Sequence, residues 1–160
     1  MPDKLRRYWT QFLESLPENA EQPVHYYDSF YFGSSKESAA LITPLVLGGI
    51  KTATGSVQWV YEAEGRRPPM SGDYSIVTDG EGEPVCIIRD VEVEIIPYDE
   101  VSSAFAWEGG EEDRTLESWR RIYWDYIVSE CARIKRQPTS KTPLVCERFC
   151  VVYNEPLKPE

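Results

Sequence analysis

In the stretch Gly48-Gly49-Ile50-Lys51-Thr52-Ala53-Thr54 the chain changes from helical to strand periodicity, and the fold is read outward from it. Upstream, Ser34-Ser35-Lys36-Glu37 has the pattern of a capping box and starts a helix, with Ala40, Leu41, Leu45 and Val46 predicted to face the core. Pro44 is expected to kink that helix, and the paired glycines end it. Downstream, Thr52, Thr54, Val57, Trp59 and Tyr61 are β-favouring types and predict a strand.

The same reading extends to both ends. Leu5, Tyr8, Trp9, Phe12, Leu13 and Leu16 recur at helical spacing, which predicts a helix over 4–16, with Asp3 as its cap and Pro17 as its stop. Residues 17–24 read as a tether, so 1–22 forms an N-terminal helix and linker ahead of a domain over 23–155. A strand is predicted at 74–78, joined by a turn at Asp79-Gly80-Glu81-Gly82 to a segment in which 84–88 and 91–96 read as one long strand, or as two with a bulge near Arg89-Asp90. An acidic segment, 98–114, reads as mostly loop apart from a short turn within 99–106. A helix begins near Leu116, capped by Thr115 or Asp113, and the closing strand runs from Leu144 to Tyr153. The end of the chain, 156–160, is expected to fray. Five to six strands with two or three helices give an α+β fold, and a closed or nearly closed β-barrel would remove exposed edges.

Composition narrows the function. A chain of 160 residues suits one domain. A net charge of −10 argues against tight, non-specific binding of long RNA or DNA through phosphates, so DNA is not an expected partner. That charge also disfavours docking on anionic lipid, and no apolar run reaches the length of a membrane span. Cys86, Cys131, Cys146 and Cys150 form no CxxC pair, and the only histidine is His25. No metal or cofactor is expected, and the thiols read as reduced side chains in a reducing cytoplasm.

Four motifs in order give the chain a family likeness. They are Phe32-Gly33 through Gly48-Gly49-Ile50-Lys51-Thr52-Ala53-Thr54, Gly72-Asp73 before a strand, Pro97-Tyr98-Asp99-Glu100-Val101 through Glu111-Glu112-Asp113-Arg114-Thr115-Leu116, and Cys146-Glu147-Arg148-Phe149. Together they span about 26–153 and resemble the ASCH family in its longer bacterial form. The resemblance implies a PUA-like β-barrel with flanking helices and a cleft beside the Lys-containing loop. It implies a nucleoside or RNA ligand: some relatives hydrolyse acylated cytidine nucleosides with a Lys, a Thr three residues on and a distant Glu, and RNA binding and ribonuclease activity are also attributed to the family. Carried over by motif, the Lys is Lys51 and the Thr is Thr54. The Glu falls on Glu112 by spacing back from Leu116, or on Glu111 by the Glu-Gly-Asp pattern of longer relatives.

These residue types suit amide hydrolysis. A threonine hydroxyl becomes a nucleophile when a base removes its proton, a lysine is that base when its ammonium is disfavoured, and a carboxyl can serve the leaving amine. In a regular strand, residues 51 and 54 point to opposite faces, so their convergence requires a bend. Thr52 and Ser56 are expected to contact the ligand, and Arg133, Arg136 and Lys141 form a basic segment suited to phosphate. The two resulting readings are a hydrolase of a modified nucleoside or small amide, and a non-catalytic RNA-binding module or ribonuclease using the same cleft.

Overall fold

A computed structural model describes residues 1–20 and 24–160. Residues 21–23, part of the expected tether, lie outside the described residues. The elements in order are α1 (Asp3–Ser15), β1 (His25–Phe30), α2 (Lys36–Leu47), β2 (Ala53–Val57), α3 (Gln58–Glu64), β3 (Asp73–Thr78), β4 (Pro84–Pro97), a 3-10 turn (Tyr98–Glu100), α4 (Ser103–Gly109), α5 (Leu116–Arg133) and β5 (Pro143–Tyr153). The α+β class follows.

The five strands form one mixed sheet in the order β1-β3-β4-β5-β2, with β1 parallel to β3 and the other pairs antiparallel. Among the described residues no ladder joins the edge strands β1 and β2. The sheet is open, where the sequence led us to expect a closed or nearly closed barrel. The space between those edges is occupied by a cavity that both strands line.

Alternation along the strands sends neighbouring side chains to opposite layers. Ile76 and Ile87 meet Leu5, Tyr8 and Phe12 of α1, whereas Val77, Cys86 and Ile88 meet Phe32, Ile42 and Val46 on the α2 side. A third cluster joins Ala53, Val57, Leu144 and Cys146 to Phe105 of α4 and to Trp119, Tyr123 and Ile127 of α5. The Trp119 and Tyr123 rings stack at 4.4 Å.

Several local expectations change. Trp59 and Tyr61 lie in helix α3, because the partner strand runs out: Val57 pairs with Leu144, and β5 begins one residue earlier at Pro143. With no ladder left, a helix buries Val60 and Tyr61 instead, overriding β-propensity. In α2 the buried stripe is Ala39, Ile42 and Val46, while Ala40 is exposed and Leu41 is 75% exposed. The run is almost wholly apolar, so periodicity alone did not select a face. Pro44 sits inside α2 without ending it, and Ser35 caps the helix in a reciprocal box with Ser38. Pro2, not Asp3, precedes α1, with no side-chain cap. The acidic segment contains helix α4. Residues 155–158 are tied to α1: Tyr8 Oη donates to the Glu155 carbonyl at 2.8 Å, Gln11 Nε2 to Pro156 O at 2.9 Å, and the Lys158 amide to Gln11 Oε1 at 2.9 Å.

Candidate active site

Helix α2 ends at Gly48, and the amides of Ile50 and Lys51 both donate to Leu45 O, at 2.9 and 3.0 Å. This turns the chain sharply before β2 starts. Lys51 lies outside the strand, so strand alternation does not separate it from Thr54. Its side chain is 1% exposed. Nζ donates to Gly109 O at 3.2 Å and to Glu111 Oε2 at 3.2 Å, and it sits 5.7 Å from the centre of the Phe32 ring. A buried ammonium is costly unless paired and hydrogen-bonded, and these contacts supply both needs.

The loop carrying Glu111 is pressed against this segment. Gly110 has φ +72°, and a Cβ there would stand 2.7 Å from Ile50 O and 2.9 Å from Lys51 Cα. Only glycine permits that approach. Beyond it, Glu112 and Arg114 also adopt left-handed backbone, at φ 52° and 65°. Glu111 thereby points inward to Lys51, and Glu112 points outward and pairs with Arg121. Arg114 stacks 3.8 Å from the centre of the Trp107 ring and donates through Nη2 to Ile50 O at 3.3 Å, fastening the loop from outside.

Thr54 and Ser56 alternate to one face of β2 and line the cavity with Lys51 and Glu111. Thr54 Oγ1 is 3.5 Å from Tyr123 Oη, which accepts the Gly55 amide proton at 3.2 Å. Ser56 Oγ lies 2.8 Å from Tyr61 Oη. The cavity measures about 480 Å³, and its walls include the rings of Tyr27, Phe30, Phe32, Tyr61, Tyr123 and Tyr126. Among the described residues that line it, Lys51 and Arg66 are the only lysine or arginine, against the carboxyls of Asp28, Glu111, Asp125, Glu130 and Glu147.

Glu147 was not selected by sequence reasoning. It lies on β5 opposite Thr54 and is 9% exposed. Burial, and then the neighbouring Asp90 and Asp73, push its carboxyl well above the ordinary range, with Lys51 opposing. Burial raises Asp90 to about 6, with the neighbouring Glu147 opposing and Asp73 adding to the shift. Asp73 is held by Arg67 through two hydrogen bonds, at 2.7 and 3.1 Å. The legible signal for Glu147 was a carboxylate inside the apolar run Leu144-Val145-Cys146-Glu147-Arg148-Phe149. Tyr123 and Phe32 gave no signal beyond core packing.

The remaining candidates stand apart from the cavity wall. Thr52 is held in the backbone: its amide donates to Glu108 O at 2.8 Å and its carbonyl accepts from Phe149 at 3.0 Å. Arg133 pairs with Glu130 and Glu64. Arg136 pairs with Glu62 and stacks 3.8 Å from the Trp59 ring centre. Lys141 pairs with Asp99 and Glu100. The basic segment is thus matched by carboxylates. Among the described residues no group of three or more His, Cys, Asp or Glu is placed to hold a metal, and no helix is long and apolar enough to cross a membrane.

Comparison with known proteins agrees with this architecture. The crystal structure of an ASCH domain from Lactobacillus crispatus JV V101 is 29% identical, with a TM-score of 0.89 over 96% of this chain and 97% of that one. A protein from Enterococcus faecalis V583 is 32% identical, with a TM-score of 0.85 over 96% of this chain and 91% of its own. No functionally curated protein matches. The profile of the ASCH domain matches residues 28–153, nearly the whole sheet and every helix but α1, and the chain therefore belongs to the ASCH domain family.

Proposed function

We propose that this ASCH domain is a hydrolase that removes an acyl group from the amino group of a nucleoside or related small ring compound. The observation that carries the reading is the buried Lys51 paired at 3.2 Å with the half-buried Glu111, opening with Thr54 onto one cavity. A volume of about 480 Å³ suits a small ligand, and tyrosine and phenylalanine faces suit a flat ring. The cavity's excess of carboxyls disfavours a phosphate-bearing ligand, so a nucleoside fits better than a nucleotide or an RNA strand.

In the reaction, Lys51 passes its proton to Glu111 and then takes the proton of Thr54 Oγ1. The freed oxygen attacks the acyl carbonyl carbon, the C–N bond breaks, and the amine departs with a proton. Water then releases the acid from the Thr54 ester. Ser56 would contact the ligand. Free cysteines, three of them buried, suit a reducing cytoplasm.

Calorimetric titration tests the binding step. Uncharged acylated nucleosides should bind, with their 5′-phosphates weaker and short RNAs weaker still. Tight, salt-sensitive RNA binding without nucleoside affinity would replace this reading with an RNA-binding module.

A further inference from the structure

The hydrolase reading leaves open where the leaving nitrogen finds its proton, and the inference that follows rests on that reading. We propose that Glu147 is the general acid of this site, holding a proton shared with Asp90 and delivering it to the departing amine.

Position is the first argument. Glu147 is the cross-strand partner of Thr54 on β2, so both side chains leave the same face of the sheet, with Cβ atoms about 4.5–5.5 Å apart. Both line the cavity. An acyl carbon bonded to Thr54 Oγ1 holds its nitrogen one bond away, within reach of the neighbouring strand.

Hydrogen bonding is the second. Asp90 is 3% exposed, and its Oδ1 has no partner among the described groups. An ionised Glu147 beside it would bury two carboxylates together. A protonated Glu147 instead donates its hydroxyl to Asp90 and meets that need with a single negative charge. Burial, Asp90 and Asp73 all push the Glu147 carboxyl toward the neutral form. The other ionisable groups facing it are Lys51 ahead of β2, Tyr61 on α3 and Tyr27 on β1. Of these, only Lys51 favours its ionisation, and it does so once protonated.

That arrangement couples the two proton transfers. When Lys51 takes the Thr54 proton, positive charge appears near Glu147 and promotes release of its proton to the nitrogen as the C–N bond breaks. In the second half-reaction the Glu147 carboxylate accepts a proton from the attacking water. Thr54 Oγ1 leaves with the proton held on Lys51, and Glu111 returns its proton to Lys51. Amide and water become acid and amine, and every protein group returns to its starting state. Glu111, whose Oε2 is engaged by Lys51 Nζ, serves the base instead.

The test compares two substrates carrying the same acyl group: an N-acyl nucleoside, whose amine must be protonated to leave, and a p-nitrophenyl ester, whose phenolate need not be. Glu147→Gln should lower kcat/KM, which covers only the steps up to the Thr54 ester and so leaves out the second half-reaction that both substrates share, on the amide by about 10²- to 10⁴-fold and on the ester at least ten times less. Glu111→Gln, acting through Lys51, should lower both alike. Equal losses for Glu147→Gln, or no loss on the amide, would overturn the role. Wild-type protein inert toward both would sink the hydrolase reading and the role together. Infrared spectroscopy reads the proton independently: a carboxylic-acid carbonyl band at about pH 7, removed by Glu147→Gln, is expected. Absence of that band in the wild type would overturn the shared proton even in an active hydrolase.

Discussion

Replacing Gly110 by alanine tests how the Lys51 segment is held. The residue has φ +72°, and the added Cβ would stand 2.7 Å from Ile50 O, 2.9 Å from Ile50 C and 2.9 Å from Lys51 Cα. All three are backbone atoms, with no flexible side chain to swing aside. The left-handed backbone costs an L-residue about 1–2 kcal/mol, and forcing the two segments apart adds about 1–3 kcal/mol. The total, about 2–5 kcal/mol, corresponds to a fall in melting temperature of roughly 4–20 °C for a chain of this size. The control is Gly82→Ala. Gly82 has φ +85° but nothing within 4 Å of the added carbon, so only the conformational cost, about 1–2 kcal/mol, applies. Scanning calorimetry of both variants gives the comparison. Gly110→Ala should melt well below Gly82→Ala, and because it moves Gly109 O and Glu111 away from Lys51 it should also lose turnover. A Gly110→Ala variant as stable as Gly82→Ala would refute the close packing of these segments.

Other consequences follow from burial and ionisation. Ile42→Ala should cost about 2–5 kcal/mol in denaturant unfolding, whereas Leu41→Ser should stay within about 0.5 kcal/mol, which checks the face that α2 buries. Phe12→Ala should cost about 3–5 kcal/mol, because α1 packs on Ile76 and Ile87 within the core. Asp90 and Glu147 hold protons more tightly folded than unfolded. Stability should therefore fall as pH rises from about 4, through the Asp90 titration at about 6, and onward; Glu147→Gln should flatten that decline in denaturant titrations. Cys150 is exposed, while burial pushes Cys86 and Cys146 up to about 12 and raises Cys131. A thiol reagent should label Cys150 in the native protein and the other three after unfolding.

The sequence was most legible where local chemistry and tertiary structure agree. The 4–16 stripe, the Asp79 turn, the Thr115 cap and the closing strand are each written in nearby residues, whereas the capping box read at Ser34 and Glu37 falls one residue later, on Ser35 and Ser38. Helix α3 was not, since what stops β2 at Val57 is the start of β5, more than eighty positions away. The buried face of α2 was hidden by a run with too few polar residues to mark its outer side. At the site, Lys51 and Thr54 were visible through the resemblance of their motif to the ASCH family, but their convergence depends on the turn built by Leu45 O. The choice between Glu111 and Glu112 was undecidable from spacing, and it turns on the left-handed geometry at Gly110 and Glu112. Glu147 reaches the cavity only through strand pairing with Thr54, a relation between distant segments. Arg133, Arg136 and Lys141 look like a phosphate site in one dimension, but each is matched by carboxylates brought from elsewhere in the fold.

The central claim is that Lys51, Thr54 and Glu111 form a hydrolytic site. Its most direct measurement is mass analysis of products after incubating the wild type, Lys51→Ala and Thr54→Ala with a panel of N-acylated nucleosides. The account predicts release of free acid and deacylated nucleoside by the wild type, and loss of turnover in both variants. It also predicts a melting temperature for Thr54→Ala close to that of the wild type. Absence of turnover across the panel, or turnover undiminished in Lys51→Ala, would contradict it.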